Sequence, residues 1–383
     1  MLSYKMNVTS ERVAVAVVRC ADYGDGLGGA VERAFALMEG ERPREPNVAD
    51  FSGKRVLLKP NLLTDRRPEQ AVTTHPEVVR HVIRWFKQRG AEVSVGDSPA
   101  STANLQNVWR LSGIGGVCAE EGVPLISFEQ AGARLFEQDG FAFSVAQPVL
   151  DADLVVNLPK VKSHSLSMLT AAVKNIYGVL PGYSKTMYHR QYPKLAVFGR
   201  LVAAIWKVIP PSVTLADGVV GMEGQGPANG RSVPLGFLAA SENPFALDRA
   251  LCGMLRIDAR RVPYLVDGLG GDYSCVGDTV TVGAFDVPSG AHILNILPQR
   301  LVDVFGKLVW VRPAFSEMAC VGCGKCAEAC PVHAVTLSEA TRRPVLKRDA
   351  CISCSCCHEV CPADAIRMTQ SRILRMTMAF KGM

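Results

Sequence analysis

Residues 320–331 read Cys-Val-Gly-Cys-Gly-Lys-Cys-Ala-Glu-Ala-Cys-Pro, and residues 351–362 read Cys-Ile-Ser-Cys-Ser-Cys-Cys-His-Glu-Val-Cys-Pro. Both spell Cys-x-x-Cys-x-x-Cys-x-x-x-Cys-Pro, the bacterial run that holds a [4Fe–4S] cluster, and two runs in tandem imply two clusters. In such pairs the fourth cysteine of each run ligates the other cluster. Cys320, Cys323, Cys326 and Cys361 are therefore expected around one cubane, and Cys351, Cys354, Cys357 and Cys330 around the other. Three thiolates on a tight loop wrap one face, and the fourth, just before a helix-stopping proline, arrives from elsewhere.

Other uses of these cysteines fit poorly. Zinc ribbons use two separated Cys-x-x-Cys pairs, and a disulfide framework needs an oxidising compartment. The first eighteen residues show no basic segment followed by an apolar one, so no signal peptide is expected. Cys356, wedged between two ligands, reads as a small packing residue beside a cluster. Cys20, Cys118, Cys252 and Cys275 are scattered and read as reduced thiols, which suits a cytoplasmic protein.

With 383 residues, and about 150 residues per domain as a guide, two or three domains are expected. A hydrophobic fraction of 48% supplies a large core, and a net charge of +6 without a basic block gives no nucleic-acid footprint. No apolar run reaches the roughly 18 residues of a membrane span. The nearest, residues 195–209, carries Arg200 and Lys207 and ends at Pro210-Pro211, as a core helix would.

Upstream of the cysteines, residues 13–18, 55–58, 92–95, 125–128, 154–156 and 213–216 are short apolar runs bounded by polar or turn residues. Runs of this kind suit strands buried on both faces of a parallel sheet. Residues 74–90 give the helical counterpart. Thr74 and Glu77 form a possible capping box, Pro76 lies in the first turn, Val78, Val79, Val82, Ile83 and Phe86 share one face, and Gly90 stops the helix. The expected fold is therefore α/β, a mostly parallel sheet covered by helices, fused to a small α+β bacterial ferredoxin-like domain. The α/β domain is expected over residues 1–297, with residues 42–52 as a surface loop. A connection follows over 298–315, the cluster domain over 316–369, and a basic amphipathic tail over 370–383 that is expected to pack back on its own domain rather than touch a membrane surface.

In open α/β sheets ligands bind beyond the carboxyl ends of the strands. Those ends are rich in functional groups: Lys59 and Asn61; Asp97 and Ser98; Asn157, Lys160, Lys162 and His164; Asp217, Glu223, Gly224 and Gly226. Lys174 and Asn175 follow in an apolar segment. Singly, each reads as a solvated charge or a helix cap. Together, lysines with amides and glycine-rich backbone make an anion site. Lys160, Lys162 and Lys174 are the expected charge readers, and His164 and His189 the expected proton donors, so His164, His189, Lys160 and Lys174 form the catalytic set. Lys59, Asn61, Asp97, Ser98, Asn157, Lys162, Asn175, Asp217, Glu223, Gly224 and Gly226 form the binding set, with Asp217 and Glu223 orienting these groups or binding a metal. Gly24-x-Gly26-x-x-Gly29 has the setting of a dinucleotide fingerprint. Four residues separate it from its strand, however, and the next strand ends in Lys59 rather than an acid.

The motifs Leu57-Leu58-Lys59-Pro60-Asn61, Gly96-Asp97-Ser98-Pro99, the residues from Val155 to His164, Val173-Lys174-Asn175-Ile176-Tyr177-Gly178, Asp217-Gly218 and Met222-Glu223-Gly224-Gln225-Gly226-Pro227 resemble the family known as domain of unknown function 362. The tandem cysteine domain resembles that of the family's iron–sulphur members. The resemblance spans nearly the whole chain and implies an α/β domain fused to a bacterial-type ferredoxin module, but no reaction.

The leading expectation is an oxidoreductase in which the clusters relay electrons to or from an anionic small molecule. The fusion motivates it, since a free ferredoxin needs no large partner domain. One alternative is an electron-transfer adaptor that docks a redox partner protein. The other is non-redox anion chemistry with structural clusters.

Overall fold

Leu57 and Leu58 are neighbours in one strand, both sealed from solvent, yet they belong to different hydrophobic cores. Val155 and Val156 divide in the same way, as do Val15 and Ala16. Successive side chains of a strand point to opposite faces, so a continuous apolar run means a sheet covered on both sides.

The computed structural model describes residues 12–39, 50–100, 102–182, 184–265, 270–288 and 310–372. Within them the chain runs through β1 (Val13–Arg19), α1 (Leu27–Glu39), β2 (Arg55–Pro60), α2 (Pro76–Lys87), β3 (Glu92–Asp97), α3 (Leu105–Leu111), α4 (Ile114–Glu121) and β4 (Leu125–Ser127). A hairpin of β5 (Ala133–Gln138) and β6 (Phe141–Ala146) and the short α5 (Gln147–Asp151) lead to β7 (Leu154–Leu158), β8 (Lys160–His164) and β9 (Met168–Thr170). Then come α6 (Ala172–Asn175), α7 (Ser184–Gln191), α8 (Leu195–Trp206), β10 (Ser212–Glu223), β11 (Arg231–Ser241), α9 (Pro244–Met254) and β12 (Tyr273–Gly277).

The main sheet has the order β12-β1-β11-β10-β7-β2-β3-β4, with β8 added beside β10 and β9 beside β8. Pairing is parallel from β10 through β7, β2 and β3 to β4; β11 is antiparallel to both its neighbours. The α/β class with a mostly parallel sheet is thus as expected. From β2 the chain winds outward to β3 and β4, then returns to β7 on the other side of β2. That reversal makes β2/β7 the topological switch point, where such sheets open a ligand crevice.

Helix α2 presents the expected face, Val78, Val79, Val82, Ile83 and Phe86, to one core. Its cap is different from the one expected. His75 is the N-cap, its Nδ1 accepting from the Glu77 amide at 3.3 Å. Thr74 is engaged elsewhere, donating to the Leu158 carbonyl at 2.6 Å and accepting from the Asn61 amide at 2.8 Å. Residues 195–206 form α8, which closes before the proline pair as expected. No helix among the described residues is long and apolar enough to cross a membrane.

The cysteine-rich module comprises β13 (Val311–Phe315), α10 (Lys325–Glu328), β14 (Val335–Leu337), β15 (Pro344–Leu346), α11 (Cys356–Glu359) and β16 (Ile366–Gln370). β13 pairs antiparallel with β16, and β14 with β15. Residues 311–315, expected in the connection, are therefore a strand of the module: Val311 and Pro313 are buried and the backbone needs β16 as its partner. The rest of that connection, residues 298–309, most of the tail, 373–383, and most of the loop, 42–49, lie outside the described residues.

One buried carboxylate fixes the turn that carries Lys174 and Asn175. Asp248 of α9 accepts from the Ala172 amide at 2.8 Å and the Val173 amide at 2.9 Å, while burial pushes its pKa up to about 7. Asp248→Ala would leave two buried amides without acceptors, at roughly 1–3 kcal/mol each. Urea denaturation should show a loss of roughly 2–4 kcal/mol, a larger loss than truncating an exposed carboxylate such as Asp272 would give.

Candidate functional site

The two runs of cysteines enclose two hollows. Cys320, Cys323, Cys326 and Cys361 line one of about 380 Å³. Cys330, Cys351, Cys354 and Cys357 line the other, of about 330 Å³. Each hollow thus takes three thiols from one run and one from the other. Backbone amides already point at the crossing sulphurs, Ala334 to Cys330 Sγ at 3.1 Å and Ala365 to Cys361 Sγ at 3.3 Å. Among the described residues no group of three or more His, Cys, Asp or Glu side chains is gathered closely enough to hold a single metal ion. A cubane has an iron at four corners and spans a wider set of thiols, so the donor set fits [4Fe–4S] chemistry. Burial first, then the neighbouring thiols, pushes Cys357 well above the ordinary thiol range; iron binding would displace that proton.

Cys356 belongs to neither hollow. It lines a third cavity, of about 770 Å³, between the switch point of the sheet and the module. The β2 end contributes Lys59 and Asn61, the β3 end Asp97 and Ser98, β8 Lys162 and His164, and the segment after β9 Lys174 and Asn175. The module contributes Ala329, Cys356, Glu359 and Val360. Of the residues expected to converge, these eight from the α/β domain do so, and His189 of α7 joins them.

A row of amides sets the polarity of this wall. Asn157 donates to the Ala172 carbonyl at 3.0 Å, leaving its own oxygen to accept from Asn175 at 2.8 Å. Asn175 in turn accepts from Asn61 at 2.9 Å, and the Asn61 oxygen accepts from Lys162 Nζ at 2.9 Å. Every amide is therefore oriented by the last, and the row ends on a cation. Lys162 also donates to the Val72 carbonyl at 2.6 Å. Burial pushes its pKa down to about 7, and Glu359 only partly opposes this. Desolvation, rather than repulsion among lysines, is the larger cause.

Lys59, with no solvent contact, pairs with Asp97 at 2.8 Å. Gly178 makes this possible, since a Cβ there would lie 2.2 Å from Asp97 Oδ1 and 2.7 Å from Lys59 Nζ. Lys174 has aromatic neighbours instead, its Nζ 5.0 Å from the Tyr177 ring centre and 5.7 Å from that of Phe198. Ser98 accepts from Lys185 Nζ at 2.7 Å and donates to Glu129 at 2.8 Å.

The histidines depart from the role expected of them. His164 Nδ1 accepts from the amides of Leu166 at 3.0 Å and Ser167 at 3.3 Å, so its proton sits on Nε2, 3.3 Å from Glu359 Oε1. Burial also lowers its pKa. His164 is thus a fixed neutral donor rather than an imidazolium. Burial opposes charge on Glu359, but the His164 bond and nearby cations, Lys174 among them, hold its pKa down at about 2. His189 is stacked on Phe198 at 4.4 Å and pushed down to about 3 by burial. Both line the cavity, and neither carries an acidic proton at neutral pH.

Six expected residues lie elsewhere. Lys160 pairs with Asp217 at 2.8 Å and receives no share of the cavity; Tyr23 bonds both, at 2.6 Å to Lys160 Nζ and 2.9 Å to Asp217 Oδ1. Period two puts Lys160 and Lys162 on one face of β8, but Lys160 is a step closer to the start of the strand and meets β10 there. Glu223 is bound by Arg231 and accepts from the Asp286 amide at 2.9 Å. The Gly224 carbonyl accepts from Ser163 at 2.9 Å, and Gly226, whose Cβ would lie 2.0 Å from the Ser163 carbonyl, is a site of close chain approach. Asn157 lies behind the wall as the anchor of the amide row. Asp217 and Glu223 thus have partners of their own, and no metal is needed to explain them.

Sequence reasoning missed Thr170, Gly178, Lys185, Glu359 and the inward-facing Cys356. It also missed Arg66, which donates to the Cys361 carbonyl at 2.8 Å, the Pro362 carbonyl at 3.1 Å and Asp364 at 2.8 Å. Together with Asn229, which donates to the His358 carbonyl at 3.2 Å, Arg66 fastens the module to the sheet.

Lys59→Met would leave Asp97 buried without its cation and should cost about 3–5 kcal/mol. Adding Asp97→Asn should recover part of that loss, and a double-variant denaturation cycle with no recovery would contradict the pairing.

Residues 56–253 match the family described as "Domain of unknown function (DUF362)", and residues 314–368 match the "4Fe-4S dicluster domain". The chain is therefore a 4Fe–4S cluster-binding protein. A thylakoid-associated protein from Synechocystis sp. is 37% identical over 213 residues, covering 55% of this chain and 66% of that protein. Among solved structures, the lactate racemase apoprotein from Thermoanaerobacterium thermosaccharolyticum aligns with a TM-score of 0.40 and 14% identity, over 65% of this chain and 58% of that one. A Thermotoga maritima protein aligns at 0.35 and 16%, over 57% and 54%. This chain spans less than two thirds of each of these relatives, and at such TM-scores nothing follows from the two structures. By its match over residues 56–253, more than half of its length, the chain belongs to the DUF362 family.

Proposed function

We propose that this protein is an oxidoreductase that exchanges electrons with an anionic small molecule bound at the β2/β7 switch point, using two [4Fe–4S] clusters. The ligand sets would be Cys320, Cys323, Cys326 and Cys361, and Cys330, Cys351, Cys354 and Cys357, matching the two hollows. The observation that carries this reading is a shared wall. Ala329, Cys356 and Val360, each next in sequence to one of those cysteines, line the same cavity as Lys162 and Lys174. When bound, each cluster supplies one electron at a time, so a pair serves a two-electron change in steps.

The chain's own residues would do the rest. Lys162 and Lys174 hold the anion, and Lys162, poised near neutrality, is the group able to give up a proton there. His164, its Nε2–H turned to Glu359, keeps that carboxylate engaged at the edge of the site. The Lys59–Asp97 pair and the amide row keep the wall rigid, which limits reorganisation when charge moves. The hollow of Cys320 and Cys323, the more exposed of the two, would face an electron-donor or acceptor protein.

Three measurements test this. Iron analysis of anaerobically reconstituted protein should give about eight irons per chain. Cys356→Ala should keep them, whereas Cys357→Ala should lose a cluster; the reverse pattern would overturn the ligand register. Thermal-shift screening with anionic metabolites should find a ligand that also changes the rate of cluster reoxidation; if no anion binds, a docking adaptor becomes the better reading. Finally, Lys162 is charged below its pKa of about 7 and neutral above it. Anion affinity should therefore fall as pH rises from about 6 to about 8, and Lys162→Met should flatten that profile.

A further inference from the structure

The charges of the cavity and one orphan hydroxyl narrow the kind of anion, on the reading that an anion binds there at all. Four ammonium groups border the cavity, Lys59, Lys162, Lys174 and Lys185, against two carboxylates, Asp97 and Glu359. Asp97 is committed to Lys59 at 2.8 Å, and Glu359 is turned to His164 at 3.3 Å. Among the described residues neither Lys162 nor Lys174 has a carboxylate within ion-pairing distance. Lys162 has carbonyl acceptors, and Lys174 has two aromatic rings. The formal excess is two positive charges.

Thr170 supplies the second observation. It stands directly opposite Lys162 in the β8/β9 register, borders the cavity and is only 4% exposed. Its Oγ1 has no hydrogen-bond partner among the described residues. A buried hydroxyl is rarely left unpaired, because its desolvation is then uncompensated. Here it lies across from Lys162, whose ammonium has no carboxylate partner among the described residues. On the opposite wall Ala329, Cys356 and Val360 present an apolar surface with a single thiol.

We propose that the cavity is built for a small dianion, with one acid function on Lys162 and Thr170, the second charge on Lys174, and the body of the molecule against Cys356. A monoanion leaves one ammonium uncompensated, and a more highly charged anion meets Glu359. Because the cavity adjoins the Cys330–Cys357 hollow, a bound dianion opposes the arrival of an electron there. By reciprocity, reduction of that cluster weakens the dianion's binding.

The test uses the iron-loaded full chain under anaerobic conditions, below pH 7 and at constant ionic strength. Calorimetric titrations with succinate, sulfate and acetate are compared; succinate places its charges apart, and sulfate, a dianion throughout this pH range, places them on one centre. At least one of the two dianions should bind about ten-fold tighter than acetate, as expected for one additional charge-assisted contact. Lys174→Met and Thr170→Val should each remove most of that advantage with iron content unchanged. The bound dianion should also slow alkylation of Cys356 by iodoacetamide and lower the reduction potential of the cluster at Cys330 and Cys357 more than that of the other. If acetate matches both dianions while Lys174→Met still weakens it, the dianion is excluded and the anion site stands. Dianion binding indifferent to Lys174 and without effect on Cys356 would place the site elsewhere and overturn the proposal. If none of the three anions binds, the anion reading and this inference fall together.

Discussion

An ammonium group taken out of water costs several kcal/mol unless something replaces its hydration. Among its described residues the chain buries three, Lys59, Lys160 and Lys162, in strands at the heart of its sheet. Each is settled differently. Lys59 and Lys160 have a carboxylate each, Asp97 and Asp217, at 2.8 Å. Lys162 has none among the described residues and is held by neutral oxygens, one of them at the end of an oriented series of asparagine amides. The two paired lysines are structural, and the third retains unsatisfied charge beside an open space. The whole edge of the sheet is organised around that difference.

The sheet was legible because burial on both faces forces unbroken apolar runs, and such runs need no information from elsewhere in the chain. The 4Fe–4S module was legible because iron–sulphur binding dictates local cysteine spacing. What sequence could not give was distance along the sheet edge. Lys160, Lys162 and His164 share a face by period two, yet Lys160 meets Asp217 and Tyr23, while Lys162 meets Asn61. Thr170 and Glu359 carried no local signal, because their meaning comes from partners more than a hundred residues away or directly across a strand pair. Cys356 was ambiguous for a related reason. Spacing identifies which thiol is a ligand but not where its neighbour points.

The module is fastened to the sheet by contacts made to backbone as much as to side chains. Arg66 reaches the carbonyls of Cys361 and Pro362, and Asn229 that of His358. Backbone carbonyls of the second cysteine run are thus held by loops from the α/β domain, and Glu359, on the same run, closes the cavity against His164. The two parts therefore share one site: without the module the cavity lacks a wall, and without the loops the second run loses part of its support.

The crossing of the fourth cysteines bears on biosynthesis. The hollow of Cys330, Cys351, Cys354 and Cys357 has all its sulphurs only when Cys357 has been made, and the other only when Cys361 follows four residues later. Neither run is self-sufficient, so a nascent chain bearing the first run alone presents three thiols and no finished cage. If the clusters are held as proposed, iron insertion would wait for both runs, and the two cages would become available almost together. On the proposed ligand sets, a truncation or frameshift between the runs would abolish both centres at once instead of leaving a half-loaded protein.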